Sequence, residues 1–113
     1  MASSELGLLP ADLAARSLSD REIVLAYADA LAAIDRLASA GHRILAWEGW
    51  LRWPDGRVGH SGEHQGTADL SGMTASQAAL FCRETIELAQ AAWDRVPEVP
   101  GASLYFCITV APA

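Results

Sequence analysis

Residues 44–56 read Ile44-Leu45-Ala46-Trp47-Glu48-Gly49-Trp50-Leu51-Arg52-Trp53-Pro54-Asp55-Gly56. Large apolar and aromatic residues crowd this stretch and then meet a turn signal, because Pro54 presets φ and Gly56 accepts φ > 0. The pattern predicts a strand over 44–53 that folds back through a hairpin onto a second strand near Arg57 to His60. Leu45, Trp47, Leu51 and Trp53 share one parity, which is assigned to the core. Ala46, Glu48, Trp50 and Arg52 share the other, and a bulge at Gly49 would exchange the two sets.

Downstream, Gly59-His60-Ser61-Gly62-Glu63-His64-Gln65-Gly66 is too rich in glycine for a regular element. It reads either as a loop or as a bulged continuation of the second strand to about Leu70. Thr74 and Gln77 then form a capping box, in which a hydroxyl takes an orphan N–H and an amide reaches back. Ala78, Cys82, Thr85, Ile86, Ala89 and Trp93 trace the inward stripe of the helix that follows, with Glu84 and Glu87 outward. Pro97, Pro100 and Gly101 stop it. Ser103 to Val110 alternates cleanly: Leu104, Phe106, Ile108 and Val110 point one way, and Ser103, Tyr105, Cys107 and Thr109 the other.

Upstream, Ser19 and Glu22 make a second capping box, and Ile23, Tyr27, Ala30, Leu31, Ile34 and Ala38 recur at helical spacing. Gly41 suits the position just past a helix end. These signals predict a helix over 20–40 with Asp29, Asp35 and Arg36 on its solvated face. Residues 1–18 form an N-terminal lead-in with room for one helical turn from Pro10; residues 19–113 form a single α+β domain. The αββαβ order implies two helices packed on one face of a small, mostly antiparallel three-stranded sheet.

The chain has 113 residues and a mass of 12.0 kDa, room for one domain. Hydrophobic residues make up 51% of it, but 22 of them are Ala, so the large ones mark where the core lies. Eight Arg, no Lys, seven Asp and seven Glu leave a net charge of −6. That balance excludes nucleic acid as the expected partner, since no basic stripe is present to displace counterions. The lack of Lys removes Schiff-base chemistry. No stretch reaches the roughly 18 apolar residues of a membrane span, and Glu5 with Pro10 around Leu6–Leu9 does not make a secretory signal. The expected location is cytoplasmic, with Cys82 and Cys107 as reduced, buried thiols rather than a disulfide or zinc pair.

Chemical motifs are sparse. His60-Ser61-Gly62-Glu63-His64 spells H-x-x-E-H, a zinc-peptidase pattern that works only on a helix stacking the two imidazoles one turn apart. Gly59, Gly62 and Gly66 interrupt that segment at about 1 kcal/mol each relative to Ala. A looser loop site from His60, His64 and Asp69 is the remaining metal alternative, against a plain solvated loop. Ser61 beside His60 and Glu63 lacks triad geometry and a G-x-S-x-G elbow. Cys82, mid-helix and inward, reads as inert. No phosphate-cradling glycine loop occurs. No catalytic residue, metal ligand or cofactor is therefore assigned.

Two helices cover one sheet face, so the other must meet water or a partner. It offers Trp50 flanked by Glu48 and Arg52, with Tyr105 and Thr109 from the last strand. Trp, Tyr and Arg dominate interface hot spots because they bury much area with few rotors. The alternative for Trp50 is structural packing, for instance under residues 1–18.

Gly59-His60-Ser61 through Gln65-Gly66-Thr67, then Asp69-Leu70-Ser71, and the ending Leu104-Tyr105-Phe106-Cys107-Ile108-Thr109 resemble the small acidic immunity proteins of bacterial polymorphic and contact-dependent toxin systems. The resemblance implies a non-catalytic binder that masks the surface of a cognate, often basic, toxin. On that reading Glu48, Asp55, Glu63 and Asp69 supply charge, Trp50 or Tyr105 the anchor, and Arg52 stands beside it. The alternatives are a small metal-binding or hydrolytic enzyme using the 60–69 loop, and a homodimer whose open sheet face meets itself across a two-fold axis.

Overall fold

The structure is a computed structural model and describes residues 5–66, 70 and 72–111. A 3₁₀ turn (Glu5–Leu8) and a single α-helical turn, α1 (Ala11–Ala14), lead into β1 (Ile23–Leu25), α2 (Tyr27–Ser39), β2 (Ile44–Arg52), β3 (Val58–Gly66), α3 (Ala75–Arg95) and β4 (Ser103–Val110). The α+β class holds, but among the described residues the sheet has four strands, not three. Their order is β1-β4-β2-β3 and every pairing is antiparallel. β1 and β2 therefore run parallel with β4 between them, and β3 and β4 run parallel with β2 between them. The two β–α–β crossovers are interleaved, which draws α2 and α3 side by side onto one face. Arg83 of α3 ties them, with Nη1 donating to Asp35 Oδ1 and Oδ2, both at 2.9 Å.

The helix expected over 20–40 is split, because its first turn is β1. Ile23, Val24 and Leu25 are all fully buried. Three consecutive residues on a helix span too wide an arc to share one buried face, whereas a strand buried on both faces accommodates them. They pair with Ile108, Cys107 and Phe106 of β4. The Ser19 hydroxyl does accept N–H groups of Arg21 and Glu22, at 3.1 and 3.0 Å, but the motif bends the chain into β1 instead of opening a helix. α2 starts behind Ala26, which supplies no side-chain cap. Its end follows the expectation: Gly41 has φ +83°, its N–H meets Ala38 O, and the His42 N–H meets Leu37 O.

The hairpin, the Thr74–Gln77 capping box and the Ser103–Val110 strand form as the sequence predicts. Gly56 takes φ +91° in the turn. Trp47 and Leu51 are buried with Leu104, Phe106 and Ile108, so β2 keeps its assigned parity over that stretch. Leu45 departs from it. Ile44 faces Val110 and Ala46 faces Thr109, so Leu45 is an extra residue in a bulge; Ile44 takes the buried place and Leu45 is half-buried. The Trp47 indole meets Phe106 edge-on at 5.3 Å and donates through Nε1 to Thr85 Oγ1 of α3 at 2.8 Å. Leu9 and Leu13 of the lead-in are also buried in this core. Residues 17–18 close the outer edge of β1, since the Leu18 N–H donates to Val24 O and the Val24 N–H to Ser17 Oγ.

Candidate functional site

The face turned away from α2 and α3 gathers four of the seven residues singled out in the sequence. Trp50 sits in the middle of β2, with Tyr105 of β4 as its register partner on one side and His60 of β3 on the other. Trp50 and Tyr105 are both half-buried. Glu48 and Arg52 flank Trp50 two residues away on the same face, as strand geometry demands. The Trp50 indole meets the His60 ring edge-on at 5.1 Å. Its Nε1 reaches Glu48 Oε1 at 3.4 Å, and His60 Nδ1 lies 3.9 Å from the same oxygen. The His60 side chain is 66% exposed and that of Glu48 42%, so water screens this contact and it contributes little stability.

Of the other three, Asp55 and Glu63 stand elsewhere. Asp55 is at the hairpin tip, where its carboxylate accepts from the Arg57 N–H at 3.0 Å and from Arg57 Nε at 2.8 Å. Arg57 in turn lies over the Trp53 ring at 5.3 Å, so the Asp55 charge is largely met locally. Asp69 lies outside the described residues. Glu63 belongs to a distortion of β3. Glu48 and Trp50 are separated by Gly49 alone, whereas their partners Gln65 and His60 are separated by residues 61–64. This bulge bears directly on the metal alternative. It leaves His60 with Trp50 on one face and turns His64 to the other, where its ring meets Trp93 of α3 at 6.0 Å. His60 and His64 therefore do not converge, and the segment is a strand, not the helix that H-x-x-E-H requires.

Glu98, in the connection from α3 to β4, closes the bulge and was not marked by any sequence signal. Ser61 Oγ donates to Glu98 Oε1 at 2.6 Å, and the Gly62 N–H donates to Oε2 at 3.0 Å. Ser61 Oγ also accepts the N–H groups of Glu63 and His64. Burial pushes the Glu98 carboxyl up, but the Ser61 and Gly62 hydrogen bonds, the positive potential of His64 and the Glu63 backbone outweigh it and hold it below the usual carboxylate range. Ser61 is 2% exposed and its proton goes directly to a carboxylate with no imidazole between, which fixes a loop and activates no nucleophile. The thiols are equally unsuited to attack: burial pushes Cys82 up to about 11, and Cys107 is driven higher still by burial and then by Glu22. No helix among the described residues is long and apolar enough to cross a membrane.

Comparison with protein-family models, with curated proteins and with solved structures finds no match.

Proposed function

We propose that this chain is a non-catalytic protein-binding domain, an immunity protein that neutralises a basic bacterial toxin by covering its surface. The observation that carries the reading is the pairing of half-buried Trp50 with half-buried Tyr105 across β2 and β4, on the face that α2 and α3 leave free. Two adjacent aromatics flanked by Glu48, Arg52 and His60 have the make-up of an anchor with a polar rim. A standard interface takes roughly 800 Å² per partner, a modest share of the 6333 Å² this domain exposes. The net charge of −6 favours a basic partner and raises its on-rate through long-range steering, which suits an inhibitor that must act quickly. Glu63 contributes to that long-range field, not to the anchor, whereas Asp55 is paired with Arg57 and adds little to either.

The test is a pull-down from source lysate with wild-type and Trp50→Ala protein, followed by expression of the captured protein alone and together with this chain. A basic protein that is toxic alone, harmless when co-expressed, and bound at least about tenfold more weakly by Trp50→Ala supports the reading. A partner indifferent to Trp50→Ala, or a stable dimer that captures nothing, overturns it.

A further inference from the structure

The bulge opposite Gly49 does more than bend β3. Chain beyond what the ladder uses is folded against the α3–β4 connection, and it carries Glu63 and His64 to Glu98. We propose that Glu63, His64 and Glu98 form a binding site for a divalent transition-metal ion of the zinc class. One donor atom from each lies within 4.8 Å of the other two. Ligands about 2.1 Å from a common zinc ion stand roughly 3–3.5 Å apart, so only small side-chain rotations separate the set from that spacing.

The second observation concerns the imidazole. His64 Nε2 is shut off from solvent and has no hydrogen-bond partner among the described residues. A buried ring nitrogen in that condition is costly, and its side chain belongs to the same cluster. The supporting shell is built as metal sites require. Ser61 and Gly62 fix both oxygens of Glu98 while leaving lone pairs on each, and Trp93 braces the His64 ring. One imidazole with two carboxylates neutralises a divalent charge, and the imidazole selects transition ions over magnesium or calcium. Three protein ligands leave a coordination position open. The site lies on the α3 side of the sheet and is separate from the Trp50–Tyr105 face, so it stands or falls independently of the binding proposal.

The experiment is calorimetric titration of untagged, full-length protein with zinc chloride, with magnesium chloride as a comparison. The expected result is one zinc per chain with magnesium silent. Glu63→Gln and His64→Gln then weaken zinc by about tenfold or more, while His60→Gln, on the opposite face, leaves it unchanged. Glu63 is exposed, so Glu63→Gln retains the fold and keeps the test decisive should a His64 variant unfold. A flat zinc titration of the wild type overturns the proposal. So does zinc binding that survives Glu63→Gln, or that disappears in His60→Gln.

Discussion

The Trp47 indole occupies the space that a side chain on Gly66 would need. A Cβ built at position 66 overlaps Nε1 and its neighbouring ring carbons, while that same nitrogen donates to Thr85 Oγ1 at 2.8 Å. Glycine at the end of β3 therefore lets one of the two core tryptophans pass beneath the strand and tie β2 to α3. Gly66→Ala is expected to cost about 3 kcal/mol, through overpacking and the displaced hydrogen bond. Gly62→Ala is the control, since its Cβ would meet only Glu98 Oε2 at 3.6 Å, and a change within about 1 kcal/mol is expected. Urea denaturation of both variants checks the contrast; equal losses would refute it.

Glu98 links stability to pH. Its carboxyl titrates below the ordinary 4.5 in the folded chain. As pH falls, the unfolded state takes up this proton before the folded state does. The contribution is thus intact above about 4.5 and is lost as pH drops through the folded value. Calorimetric melting between pH 7 and 3, without added metal, is expected to show the wild type losing stability in the acid limb. Glu98→Gln costs about 1–2 kcal/mol at pH 7, with Ser61 left short of its charged acceptor. The variant also shows a flatter acid limb, and one as steep as the wild type's would assign the loss to other carboxylates.

What the sequence reveals here depends on the range of the interaction. β4 is legible because each alternate residue from Leu104 to Val110 reports its own burial. The start of α3 is legible because Thr74 and Gln77 satisfy each other three residues apart. Ser19 and Glu22 use the same local grammar and mislead, since the hydroxyl bonds form but β4 competes for Ile23–Leu25 and wins by burying both faces. Even spacing places His60 and His64 on one face of a regular strand; the bulge opposite Gly49 moves them to opposite sides. Most of the candidate binding face followed from strand parity, which placed Glu48, Trp50, Arg52 and Tyr105 together but not His60. Glu98 is 37 residues from Ser61, and only the return of the α3–β4 connection to β3 brings them together.

The two cysteines are expected to be silent in the folded protein. Cys82 is fully buried in α3 against the core, and Cys107 lies on the opposite face, where Sγ donates to Glu22 Oε2 at 3.4 Å. Burial raises both thiols above the ordinary 9.0, Cys82 to about 11. A chromogenic thiol reagent at pH 8 is expected to react with neither until denaturant is added, and then with both. The unfolded thiols ionise first as pH rises, so stability declines from about pH 9 upward as proton release favours unfolding. Rapid labelling of the native protein would contradict this burial.

Trp47 and Trp50 are three residues apart on β2 and are assigned opposite duties. Trp47 is 2% exposed, meets Phe106 and bonds Thr85. Trp50 touches His60 and Glu48 on the free face and leaves part of its ring in water. Trp47→Ala is expected to cost about 3–5 kcal/mol, the loss of a large core side chain and its cavity. Trp50→Ala should cost clearly less, about 1–2 kcal/mol of folding stability, since the ring is only partly withdrawn from water and only a long hydrogen bond is removed. Parallel thermal melts distinguish the two, and the partner-binding assay supplies the second axis. A side chain kept for recognition loses affinity on truncation while the melt falls less than that of Trp47→Ala. Were Trp50→Ala to lower the melting temperature as far as Trp47→Ala, Trp50 would be a packing residue, and the free face would lose its anchor.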